Sequence, residues 1–264
     1  MTTSKPFEGR KVFIPRGQKQ SGAFSKLVKK YGGEPTEIPL IEFQPVNDKG
    51  LRDAIQNLAS YDWVIFTSKV TVEIFFSLVD ETVSVPKIAV IGGKTEETIR
   101  KLGYHVDFLP HEYVAEGFIR EFLPIVSKKA KILLPKGNLA RDYIPNQLRT
   151  SERMVEELVV YETVFPEESK RMLRNLLEHG TMDILAFTSP STIENFMSIV
   201  NQYQLHKSLK GVIIVCIGPV AKKKAEAFGL TVNVVPDVYT VEEMVNSLIA
   251  YLSHTSKNME EEKI

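Results

Sequence analysis

Apolar residues along this chain fall into two spacings. Short unbroken runs end in Gly, Pro, Ser or Thr: Val12–Ile14, Trp63–Phe66, Ala89–Ile91, Ile132–Leu134, Ile184–Phe187 and Val212–Ile217. Runs this short, without alternation, read as strands buried on both faces. Between them the spacing changes to three and four. Val72, Phe75, Phe76 and Val79 follow i, i+3, i+4, i+7, the stripe of a helix packed on one side. Ser189-Pro190 reads as a helix start, with serine as the cap and proline at the first helical position. Gly103 and Gly229 are expected to close helices over Thr95–Leu102 and Ala221–Phe228, with a strand following each. Alternating strand and helix predicts parallel sheets covered on both faces.

The pattern also repeats. Lys11-Val-Phe-Ile-Pro-Arg-Gly17 returns 120 residues later as Lys131-Ile-Leu-Leu-Pro-Lys-Gly137, and Phe66-Thr67-Ser68 returns 121 later as Phe187-Thr188-Ser189. Ile91-Gly92 matches Ile217-Gly218 at 126, an offset kept by Gly103 and Gly229, Pro110 and Pro236, Tyr113 and Tyr239. The helical stripe carries over to Ile193, Phe196, Met197 and Val200; Phe118, Ile119 and Phe122 map onto Met244, Val245 and Leu248. Identity is low while side-chain volume is kept, as in a core preserved by packing. The expected fold is α/β, with two similar doubly wound parallel-sheet domains. The ends, about 1–8 and 253–264 with Glu260-Glu261-Glu262, are expected to be frayed polar tails.

Composition narrows the function. Lys+Arg and Asp+Glu both number 33, so the basic excess usual in a dedicated nucleic-acid binder is missing. No apolar run approaches the ~20 residues of a membrane span. The start, Met-Thr-Thr-Ser-Lys-Pro, lacks an apolar signal segment, and a cytoplasmic protein is expected. The single cysteine, Cys216, rules out an internal disulfide and sits in an apolar strand as a small hydrophobe. His105, His111, His179, His206 and His254 show no ligand spacing, so no metal is expected. Ile91-Gly-Gly-Lys-Thr95 is too short for a phosphate loop, and no G-x-G-x-x-G follows the first strand. Lys222-Lys223-Lys224 reads as a solvated helical face.

Ligands of open α/β sheets sit beyond the strand carboxyl ends, where helix N-termini offer unpaired N–H groups. Those positions hold Pro15-Arg16-Gly17, Thr67-Ser68-Lys69 and Gly92-Gly93-Lys94, then Pro135-Lys136-Gly137, Thr188-Ser189 and Gly218-Pro219. Hydroxyls, glycines and a few cations suit carboxylates or phosphates. Singly each residue reads as a cap or a turn; as a duplicated set between two domains they favour a binding cleft. Tyr161 stands apart, in the strand Leu158-Val-Val-Tyr-Glu-Thr163, where the first copy carries Leu40. It reads either as a half-exposed strand tyrosine or as a catalytic phenol.

The strand ending Pro15-Arg16, Asp62-Trp-Val-Ile-Phe-Thr-Ser68, Tyr161-Glu-Thr163, Phe187-Thr-Ser-Pro190, Ile217-Gly218 and Tyr239-Thr240-Val-Glu-Glu-Met244 come in a telling order. Together they resemble the uroporphyrinogen-III synthase family, from about Lys11 to about Leu248. The family's threonine before the first arginine is Pro15 here, and its glycine before the Tyr161 strand is missing. The resemblance implies a cofactor-independent hydro-lyase of haem and other tetrapyrrole biosynthesis. Such an enzyme closes hydroxymethylbilane to uroporphyrinogen III, with loss of water and inversion of ring D.

It also implies a crossed architecture, in which 1–37 joins 166–264, 44–157 forms the second domain, and 38–43 and 158–165 are a two-stranded connector. Tandem domains split near Ser127-Lys128-Lys129 are the alternative left open by the sequence. Tyr161 is the candidate general acid. Arg16, Thr67, Ser68, Lys69, Gly92, Lys136, Thr188, Ser189, Pro190, Gly218 and Thr240 are the candidate substrate-binding residues. No metal, cofactor, nucleic acid or membrane partner is implied. A monomer is expected, with room for transient contact with the preceding pathway enzyme. The rival reading is a non-enzymatic two-domain sensor closing on a small anionic ligand.

Overall fold

The computed structural model describes residues 5–80, 82–179 and 182–261, side chains at 18–21 and 256–261 excepted. The strands are β1 (Lys11–Ile14), β2 (Glu34–Glu37), β3 (Glu42–Pro45), β4 (Trp63–Phe66), β5 (Lys87–Val90), β6 (Lys131–Gly137), β7 (Met154–Val164), β8 (Ile184–Phe187) and β9 (Ile213–Cys216). The helices are α1 (Gln18–Lys30), α2 (Lys49–Gln56), α3 (Lys69–Phe76), α4 (Gly93–Lys101), α5 (Ala115–Phe122), α6 (Tyr143–Thr150), α7 (Glu167–Glu178), α8 (Pro190–Gln202), α9 (Pro219–Ala227) and α10 (Val241–Glu261).

Two units result. Unit 1 comprises Met1–Glu42 and Phe165–Ile264, and unit 2 comprises Phe43–Val164. The sheet of unit 1 runs β2-β1-β8-β9 and that of unit 2 runs β3-β7-β6-β4-β5. Translated through the repeat, β1, β2, β8 and β9 correspond to β6, β7, β4 and β5, so the two orders are the same apart from the added edge strand β3. Each sheet therefore takes one half from each copy. The exchange is clipped at the strand starts: Asp183 Oδ2 accepts from Lys11 N at 2.7 Å, and Asp62 Oδ2 accepts from Lys131 N at 2.8 Å.

Successive residues of the short strands face opposite ways, which explains their continuous apolarity. In unit 1, Phe13, Leu185, Phe187, Ile214 and Cys216 pack under α7, α8 and α9. Val12, Ile14, Ile184, Ala186 and Val215 pack under α1 and α10. In unit 2, Val64, Phe66, Ile88, Val90 and Leu133 face α2, α3 and α4, while Trp63, Ile65, Ala89, Ile132 and Leu134 face α5 and α6. Both units are doubly wound, as the apolar pattern predicts. Gly103 and Gly229 take φ of 85° and 78° just past α4 and α9, the left-handed closure expected of them.

Four expectations need correction. The strands expected after Gly103 and Gly229 shrink to single bridges, Ala89 to Phe108 and Val215 to Val234. Asp107 Oδ2 and Asn233 Oδ1 accept from Ile88 N and Ile214 N in place of ladder carbonyls, and Pro110 and Pro236 lack the N–H to extend the ladder. The expected connector strand over 38–43 forms only from Glu42, because Ile38 and Leu40 are buried in the core of unit 1 and Pro39 cannot donate. Its partner segment, 158–165, lies mostly within β7, and β3 and β7 are neighbours in one sheet.

The two tails also differ from expectation. Phe7 is fully buried, edge-on to Tyr31 at 6.0 Å. At the other end α10 continues to Glu261, anchored by Leu248 and Leu252 in the core. The outermost tail positions, 1–4 and 262–264, lie outside the described residues. No helix among the described residues is long and apolar enough to cross a membrane.

Candidate active site

The strand carboxyl ends of unit 2 surround a cavity of about 380 Å³. Thr67 and Ser68 enter it from the β4–α3 turn, Thr71 from the first turn of α3, Ile91 from the end of β5, and Ala115 from the start of α5. Leu134, Lys136 and Gly137 come from β6, Leu139 to Arg141 from the loop beyond it, Tyr143 to Pro145 from α6, and Tyr161 and Thr163 from β7. Leu134 and Ile144 are buried, giving an apolar floor under a rim of hydroxyls. No carboxylate among the described residues lines the cavity.

Tyr161 owes its position to a break in register. Lys136 pairs with Val159, but the next residue, Gly137, pairs with Tyr161, so β7 carries one extra residue. Such a bulge re-aims the following side chain. The ring then lies directly over Gly137: a Cβ placed there would stand 2.5 Å from the ring and 2.7 Å from its hydroxyl oxygen. Glycine is required by that close approach rather than by an unusual φ. On its other side the ring meets Phe43 edge-on at 5.1 Å. Tyr161 is thus a half-buried phenol, held by aromatic contact on β3 and by missing bulk on β6, with its edge in the cavity.

Lys136 is not a free cation. Its Nζ donates to Asp142 Oδ1 at 2.8 Å and to Glu157, whose other oxygen meets Arg149 at 2.7 Å. Burial works against the charge, yet the two carboxylates outweigh it and hold the ammonium above its ordinary pKa. Ser68 accepts from Thr71 N at 3.2 Å as the α3 cap. Lys69 is exposed at the first position of α3, and Gly92 is the residue before α4, with Tyr113 nearby. Neither lines the cavity.

The other expected residues belong to unit 1. Arg16 donates to the Thr188 carbonyl at 3.3 Å, tying the ends of β1 and β8 together, and burial pulls its guanidinium below the ordinary pKa. Thr188 Oγ1 is buried with no hydrogen-bond partner among the described residues. Ser189 caps α8, accepting from Thr192 N at 3.4 Å, with Pro190 at the first position as predicted. Gly218 precedes α9 beneath the Tyr239 ring, 3.2 Å from where its Cβ would be. Thr240 is exposed and accepts from Glu243 N at 3.2 Å, capping α10. A more open depression of about 520 Å³ lies at the opposite, amino end of β9 and includes none of the expected residues. Cys216 is fully buried, and burial pushes its thiol up to about 12, the inert state expected of it.

Sequence reasoning missed Thr163, Arg141 and Tyr143. Thr163 follows Tyr161 by the strand period of two and was findable on that ground. Arg141 and Tyr143 have no apolar or repeat signal, and only their nearness to the end of β6 marks them.

Comparison with known proteins bears on this architecture. The family model "Uroporphyrinogen-III synthase HemD" matches residues 22–246. A Methanocaldococcus jannaschii protein, provisionally named a uroporphyrinogen-III synthase, is 36% identical over 89% of this chain and 96% of its own length. The Chlorobaculum parvum uroporphyrinogen-III synthase is 26% identical over 86% of this chain and 93% of its own. A crystal structure of a mutant uroporphyrinogen III synthase from Thermus thermophilus shares the fold with a TM-score of 0.63, at 19% identity, covering 93% of this chain and 99% of that one. The family match over most of the sequence favours the enzyme over the non-enzymatic two-domain sensor, and the chain belongs to the uroporphyrinogen-III synthase family.

Proposed function

We propose that this chain closes hydroxymethylbilane to uroporphyrinogen III with loss of water, as an enzyme of tetrapyrrole biosynthesis. The match of residues 22–246 to the family carries the reading. In the reaction the terminal hydroxyl leaves, giving an electrophilic azafulvene. Ring D attacks it through its substituted α-carbon to form a spiro intermediate, and cleavage and reclosure invert that ring. The protein's tasks are to deliver a proton to the departing hydroxyl and to hold the chain against simple end-to-end closure. Tyr161 is the proposed acid. An ordinary phenol, with pKa about 10, is a weak one, so a substrate carboxyl sharing the work is consistent with its position.

Substrate carboxylates are assigned to backbone N–H groups at the starts of α3, α4, α8 and α9, around Thr67-Ser68, Gly92, Ser189-Pro190 and Gly218. Arg16, Lys69 and Thr240 assist, with Thr188 beside Arg16 and the charge-balanced Lys136 forming part of the wall. The active species is a cytoplasmic monomer whose domains are 1–37 with 166–264 and 44–157, meeting the preceding pathway enzyme only in passing. Product analysis by isomer after addition of hydroxymethylbilane tests the activity. The type III isomer is expected. Formation of type I alone, as without enzyme, would end this reading.

A further inference from the structure

We infer that Arg141 is the cavity side chain that takes a substrate carboxylate, seating a single pyrrole ring there. The inference rests on the synthase reading and goes beyond it in naming the ring-sized subsite and its cation. Among the described residues two cations line the cavity and no acid does. Lys136 is only 11% exposed and bridges Asp142 and Glu157, while Arg149 meets the second oxygen of Glu157. Two positive and two negative side chains thus cancel, leaving little field for a ligand.

Arg141 is different. It is exposed, and no hydrogen bond or ion pair engages it among the described residues. Its guanidinium offers the planar fork that binds a carboxylate through two parallel bonds. The cavity of about 380 Å³ lies near the lower end of the range for small-ligand sites. That suits one pyrrole bearing an acetate and a propionate, with the remaining rings of a linear tetrapyrrole left outside. The apolar floor of Leu134 and Ile144 meets the ring face, and the carboxylates point to the rim where Arg141 stands.

Arg141→Gln is expected to raise KM for hydroxymethylbilane roughly tenfold, the scale of one charge-assisted contact, with kcat and Tm little changed. Arg141→Lys, which keeps the charge without the fork, should recover part of the loss. Calorimetry with a monopyrrole carrying one acetate and one propionate should show binding by the wild type and about tenfold weaker binding by Arg141→Gln. Unchanged KM and unchanged monopyrrole affinity in Arg141→Gln, or no monopyrrole binding by the wild type, would overturn the assignment. If the wild type yields only the type I isomer the synthase reading falls instead, and the monopyrrole titration still decides the role of Arg141.

Discussion

Units 1 and 2 share a strand order but fill their strand carboxyl ends differently. In unit 2 the helices after β4 and β5 begin with Lys69 and Gly93, whose N–H groups remain available at the strand carboxyl ends. In unit 1 the equivalent helices begin with Pro190 and Pro219, which have none. The residue matching Tyr161 is Leu40, fully buried in the core of unit 1. Gly137 clears room for a ring, whereas its counterpart Gly17 faces Pro39. At these two positions the fold has thus been turned to packing in unit 1 and left open to a cavity in unit 2.

The first substitutions contrast Leu40 with Tyr161. Leu40→Ala is expected to lower stability by about 2–5 kcal/mol, the range for an emptied core leucine, as measured by urea unfolding. Tyr161→Phe should leave the unfolding midpoint almost unchanged and lower kcat by about 10²-fold, with KM little affected. Full turnover in Tyr161→Phe would move proton delivery to another group.

The glycine pair sharpens the point. Gly137→Ala places a methyl 2.5 Å from the Tyr161 ring, so ring or strand must shift. A destabilisation of about 1–3 kcal/mol is expected, with kcat falling towards that of Tyr161→Phe. At Gly17 the new methyl would meet Pro39 at 3.3 Å, which a small adjustment relieves, and a cost under about 1 kcal/mol should register in the same unfolding assay. Equal effects of the two would mean that the Tyr161 contact has no special role.

Smaller effects should be symmetric. Ser68→Ala and Ser189→Ala each remove a helix cap, at about 1 kcal/mol apiece in thermal melts. Because backbone donors persist, Thr67→Ala, Ser189→Ala and Thr240→Ala should give graded losses of activity; uniform collapse with folding intact would contradict binding through the helix ends.

The smallest effect depends on pH. Burial alone would raise the Glu157 carboxyl, but Lys136 and Arg149 outweigh it and hold it below its ordinary 4.5. Stabilisation from a carboxyl lowered on folding is complete above the ordinary pKa and disappears as pH falls through the lowered value. The Tm difference between wild type and Glu157→Gln should therefore be flat from about pH 7 to about pH 5 and close below pH 4.5.

Much of this fold was legible because its strands are apolar on both faces and its helices carry stripes. Trp63–Phe66 and Ile184–Phe187 match their expected limits to the residue. The exchange of halves was not legible from periodicity, since β1 buries the same faces beside either copy's strands. Long-range contacts record the choice, among them Asp183 and Asp62, 172 and 69 residues from the strand starts they clip. At the site, Tyr161 was found from its isolation in an apolar strand. The extra residue in β7 and the room over Gly137 depend on strand pairing, which no local pattern encodes. The neutralisation of Lys136 was hidden similarly, because Glu157 reaches it from the neighbouring strand.

The exchanged halves also set an order of assembly during synthesis. Unit 2 is one continuous stretch and has all its strands once Val164 has left the ribosome. β1, an inner strand of its sheet, can pair with β2 at once but must wait for β8. At roughly 5–20 residues per second that wait is about 10–30 s, with one edge of an apolar strand uncovered. β1 is made before unit 2 yet belongs to the unit that closes after it, so chaperone demand on the nascent chain should centre on β1 rather than on the β8–β9 segment that completes its sheet.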